Sequence, residues 1–155
     1  MLRLVGRMLA FGFAFLAGLG LVASVVVHVA ALAGVNLLGD GYTVMWILHG
    51  GVFVVFIPMF FAGAVESLWT RRAPFSGGRR ANFLAGFLFA YVVVNFLWGM
   101  SQIKAIEAEP PPGVAKQEVA PNDPLVARMF SGHWMMFYFV SFAYFGRRAL
   151  PFPHP

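Results

Sequence analysis

Three histidines, His28, His49 and His133, stand inside long apolar runs, and so does Asn95. Neutral imidazole is a ligand for haem iron, copper or zinc and a relay for protons. A polar side chain in hydrocarbon is costly unless it pairs or faces a cavity. All four are therefore expected to turn toward the interior of whatever their segments build. Helical neighbours extend each stripe: Ser24 with His28, Met45 with His49, Tyr91 with Asn95, Met129 with His133. Small residues flank two of the histidines, as Gly50-Gly51 and as Ser131-Gly132. A glycine beside a ligand histidine would let a helix or a flat molecule approach the backbone.

The runs themselves are long enough to cross a bilayer, which needs roughly 20 apolar residues per helix. Four qualify, at about 8–34, 42–65, 81–101 and 125–146, the last with one charge, Arg128, near its start. They lack the apolar/polar alternation of barrel strands. The chain has 155 residues, 60% of them hydrophobic, 11% charged, and no cysteine. With a mean hydropathy of +0.77, it lacks the polar surface of a water-soluble domain. The missing thiols exclude disulfide frameworks, thiol redox chemistry, cysteine-ligated metals and covalently attached haem. The expected fold is all-α, an integral membrane four-helix bundle. The first run is longer than the hydrophobic stretch of a signal peptide and is read as a retained helix.

Arginine placement orients this bundle. Arg3, Arg7, Arg71, Arg72, Arg79, Arg80, Arg147 and Arg148 fall on one side. Lys104, Lys116 and Arg128 share the other side with most of the acids. The positive-inside rule then places both termini in the cytoplasm, and the Ala/Gly/Arg/Pro-rich composition points to a bacterial inner membrane. The basic loop 70–80 reads as a topology determinant touching lipid headgroups rather than nucleic acid, since it lacks interleaved aromatics. The extracytoplasmic segment 102–124 is rich in Pro and Glu and is expected to have little regular structure. It closes on Asn122-Asp123-Pro124, a cap followed by proline at the first helical position. Tyr42, Trp46, Trp98 and Trp134 would form the outer interfacial belt and Trp69 the inner one.

On this frame the four polar residues lie about 9, 10, 9 and 12 Å below the outer end of their spans, in the order His28, His49, Asn95, His133. They form one layer. Spans one and three share Phe-Leu-Ala-Gly, and spans two and four share Met-x-x-x-His with Phe53 and Phe137 four residues beyond each histidine. A doubled helical hairpin would give a pseudo-twofold axis along the membrane normal.

The layer admits several chemistries. His49 and His133 would be the axial pair of a haem b, walled by Phe53, Phe137 and Trp134, with His28 left for a propionate, a quinone head or a proton path. Alternatively, His28, His49 and His133 would hold one copper or zinc with Met45 or Met129 nearby. Asn95 completes the layer in either case. Ser131 and His133 point to different helix faces and no intramembrane acid joins them, so no hydrolytic triad forms. Glu66 is expected to pair with Arg71 or Arg72, and His154 in the tail has no evident partner. The architecture resembles small four-helix membrane cytochromes b and the anchor subunits of respiratory enzymes, an analogy of fold that assigns no residue. Two functions follow: a haem- or metal-bearing redox subunit of a membrane electron-transfer complex, or a cofactor-free accessory subunit that docks a partner.

Overall fold

The computed structural model describes residues 2–38, 42–70, 79–108, 112–113, 115, 118–120 and 123–150. They form four helices: α1 (Leu2–Leu32), α2 (Tyr42–Thr70), α3 (Arg79–Ile106) and α4 (Pro124–Ala149). No strand occurs among the described residues. Helices α1, α2 and α3 are each long and apolar enough to cross a membrane. Most of their large side chains face outward, as in Phe15, Val54 and Phe87, which is what lipid contact requires. The basic loop 71–78, much of the segment 109–122 and the tail with His154 lie outside the described residues.

Helix α4 is different. It spans 26 residues but carries Arg128, Ser131, Ser141, Tyr138 and Tyr144, and its burial explains how it can. Ser131, Ser141, Tyr138, Tyr144 and Trp134 are all buried, because α1, α2 and α3 each pack against α4. Its longest contact is with α1, whose buried stripe is built of small residues, including Ala10, Ala14, Ala17, Gly20 and Ser24. Small residues let two backbones approach closely where lipid offers no hydrophobic drive. Tyr138 fills the space left by Gly20 of α1 and Gly51 of α2, where a methyl on either glycine would overlap its ring or hydroxyl. Its hydroxyl donates to the Leu48 carbonyl at 2.7 Å.

The ends of the helices follow local rules. Asp123 accepts a hydrogen bond from the Leu125 amide at 2.7 Å, with Pro124 at the first helical position. Helix α1 stops at Gly34, whose φ of 77° suits a residue without Cβ. There the Val35 and Gly34 amides donate back to Ala30 and Ala31, the double bond of a left-handed helix cap. Helix α2 continues unbroken through Pro58. Its far end is tied to α4 by Glu66, which pairs with Arg148, while Arg148 also lies over the Tyr144 ring at 3.6 Å. The expected partners Arg71 and Arg72 lie outside the described residues.

Consecutive helices alternate in direction. His28 near the end of α1 meets Ser131 near the start of α4, and Phe13 near the start of α1 stacks on Phe145 near the end of α4. The doubled-hairpin expectation keeps its local part only. His49 and His133 make the same bond to the carbonyl four residues earlier. A twofold axis would also make α2/α3 equivalent to α1/α4, yet α1 packs along α4 while the α2 and α3 backbones do not touch. The α1 stripe of small residues has no counterpart in α3, which explains the asymmetry.

Candidate functional site

All four singled-out residues meet α4 within one stretch, 128–134. His28 reaches Ser131, Asn95 reaches Arg128, and His49 packs edge-on to Trp134. His133 is part of that stretch and lies edge-on to Phe96 of α3. This interval is about 9 Å of helix axis. They do not share one pocket, however. The layer divides into two sites on different sides of α4.

The first is a polar cluster between α1, α3 and α4. Ser131 donates its one hydroxyl proton to the Arg128 carbonyl at 3.2 Å. It must therefore accept from His28 Nδ1–H, 2.8 Å away. Neutral His28 then carries its lone pair on Nε2, where the Tyr91 hydroxyl donates through a short bond. Both ring nitrogens are engaged, and His28 is only 4% exposed. No lone pair remains on His28 for a metal. Alongside, Asn95 donates to the Arg128 carbonyl at 3.1 Å, and Arg128 Nε donates to Asn95 Oδ1 at 2.7 Å. The Arg128 guanidinium lies over the Trp98 ring, 4.1 Å from its centre.

The second site is a groove of about 670 Å³ lined by α2, α3 and α4. Its α2 wall is the stripe His49, Val52, Phe53, Phe56, Ile57, Phe60 and Phe61; α4 contributes Phe130, His133, Trp134 and Phe137, and α3 contributes Phe96. Spacings of three and four put each set on one helical face. The groove exists because α2 and α3 both lean on α4 without meeting each other. Phe53, Phe60 and Phe61 are each about 60% exposed along it, so it opens sideways, toward lipid.

Chemistry in this groove is confined to three side chains. His49 Nδ1 lies 3.0 Å from the Met45 carbonyl and His133 Nδ1 lies 2.9 Å from the Met129 carbonyl. A carbonyl only accepts, so Nδ1 carries the proton in both rings and Nε2 keeps the lone pair. Neither Nε2 has a hydrogen-bond partner among the described residues. The third group is Trp134, 2% exposed, whose Nε1–H also has no acceptor among the described residues. Phe53, Phe137 and Trp134 line the groove with the two histidines.

Several expectations need correction. Trp134 is buried rather than part of an interfacial belt, whereas Trp46 and Trp69 are largely exposed. Two of the glycines beside the histidines do not open room for a flat ligand, since Gly51 receives the Tyr138 hydroxyl and Gly132 the Asn95 amide; Gly50 faces open space but does not line the groove described above. His28, His49 and His133 do not assemble into a three-ligand metal site, and no such group occurs among the described residues. The bonds of His28 to Ser131 and Tyr91 hold it in the cluster instead.

Sequence reasoning passed over Arg128 as a charge near a span start, although an arginine inside an apolar run is itself a signal. The orphaned Trp134 N–H left no trace in the sequence. Comparison with protein-family models, curated proteins and solved structures returns no match to this chain, so the reading of its site rests on the geometry above.

Proposed function

We propose that this chain is a membrane-embedded redox subunit that takes a haem b in the aromatic groove, with His49 and His133 as axial ligands. The observation that carries this reading is the pair of rings whose Nδ1–H is tied to the helix carbonyl four residues back. Such a bond fixes the tautomer, orients the ring and raises the basicity of Nε2, as outer partners of ligand histidines do. The apolar, phenylalanine-rich lining suits the faces of a macrocycle, and a groove of this volume lies within the range of ligand pockets. Bound haem would supply a one-electron iron couple. This chain's own part is to hold the iron from two helices, exclude water with Phe53, Phe96 and Phe137, and offer the Trp134 N–H to an oxygen atom of the occupant. In the orientation set by the arginines, the groove lies toward the extracytoplasmic half of a bacterial inner membrane. An electron partner there would be another membrane subunit or a quinone.

A second reading is favoured by the exposed phenylalanines of the α2 wall. A helix of a partner subunit laid against Phe53, Phe60 and Phe61 would also close the groove, leaving the chain a cofactor-free accessory subunit. An absorption spectrum of gently solubilised protein, oxidised and then reduced, separates the two. The redox reading expects a Soret band with a sharp reduced α band, lost in His49→Ala and in His133→Ala but kept in His28→Ala protein that remains folded. A protein without a Soret band and without stoichiometric iron overturns it in favour of the accessory reading.

A further inference from the structure

The groove leaves one group unexplained, on the opposite flank of α4. Arg128 is five residues before His133, about 140° around the helix, and it is not among the groove's lining residues. It stands four residues into α4, about 6 Å from the helix start, at the end of the bundle where α4 begins. Its position is locked. Nε is bound to Asn95 Oδ1, Asn95 is bound back to the Arg128 carbonyl, and Asn95 is only 3% exposed. The flat guanidinium rests on Trp98, which shields one face of the charge.

Among the described residues, only the Nε–H of this side chain is engaged. The terminal nitrogens carry four more N–H donors, and no hydrogen bond or ion pair from them reaches any described residue. The described acids Glu107, Glu118 and Asp123 are not paired with Arg128. A charge without a counter-ion beside hydrocarbon is costly, none of the described acids supplies one, and the edge of a guanidinium matches two oxygens of a phosphate. We infer that Arg128, held by Asn95 and backed by Trp98, is a binding site for a phosphate group, supplied by the headgroup of an anionic phospholipid. The site goes beyond the haem reading and does not depend on it.

The test compares purified protein reconstituted in phosphate-free digalactosyldiacylglycerol vesicles, in the same vesicles with added inorganic phosphate, and in vesicles containing phosphatidylglycerol. Arg128→Gln is run beside the wild type; its amide can still donate to Asn95 Oδ1, and circular dichroism checks its fold. The expected result is a thermal midpoint about 2–4 °C higher with phosphatidylglycerol, absent in Arg128→Gln and partly retained in Arg128→Lys. A rise reproduced by inorganic phosphate in the phosphate-free vesicles supports the phosphate site but assigns it to a soluble ion. Equal midpoints in all three lipid conditions overturn the proposal, and so does a phosphatidylglycerol effect of full size in Arg128→Gln. The Soret band, if present, should be unchanged in Arg128→Gln, so failure here is distinct from failure of the haem reading.

Discussion

Two histidine environments lie at the same level of this bundle and differ in how their nitrogens are used. In the cluster, His28 is bonded through both nitrogens to two other helices, by way of Ser131 of α4 and Tyr91 of α3. In the groove, His49 and His133 each bond only to their own helix. The first arrangement consumes the imidazole as cross-bracing; the second spends one nitrogen on orientation and leaves the other for an occupant. Membrane depth and residue type are shared, so neither distinguishes brace from candidate ligand. The partner of Nδ1 does.

The contrast predicts a graded set of stability effects, measured by reversible unfolding in mixed micelles. His28→Ala should be the most damaging, lowering stability by about 3 kcal/mol, because it empties a buried site and strands the Tyr91 hydroxyl. His49→Ala should cost about 1 kcal/mol or less, since the Met45 carbonyl keeps its backbone helix bond. Equal losses in the two variants would break the distinction. Ser131→Ala should cost about 1 kcal/mol, well below His28→Ala, because hydrogen bonds between membrane helices are individually modest. Trp134→Phe should cost about 1 kcal/mol, because the smaller ring leaves a cavity at a site only 2% exposed, while the N–H it removes has no acceptor among the described residues. The same variant sharpens the functional side: it should weaken retention of any occupant that bonds to that N–H.

How far the sequence could be read depended on the kind of coordinate involved. Distance along a helix follows from counting residues, and the structure brings His28, Asn95, His49 and His133 to the same stretch of α4. The Asp123-Pro124 start of α4 was equally legible, because a cap is a local bond. Angle around the helix was not. Which face of α4 meets α1 depends on the small-residue stripe of Ala10, Ala14 and Ala17, and that packing sends His28 away from His49. Hydropathy also did not single out α4 as the helix on which the others pack. Its serines and tyrosines mark the helix that the others surround, and Trp134 is buried by that enclosure rather than held at an interface. Glu66 found Arg148, 82 residues away along the chain, a pairing that no local pattern announces.

The place of α4 in the chain has a consequence for biogenesis. Before Pro124 emerges from the ribosome, only α1 and α2 have a helix partner, since the α3 backbone touches neither of them. Of these four helices, the last to be made is the one on which the other three pack. A nascent chain stopped short of it would leave α3 unsupported and both histidine environments unbuilt, so these four helices can consolidate only after α4 has been made.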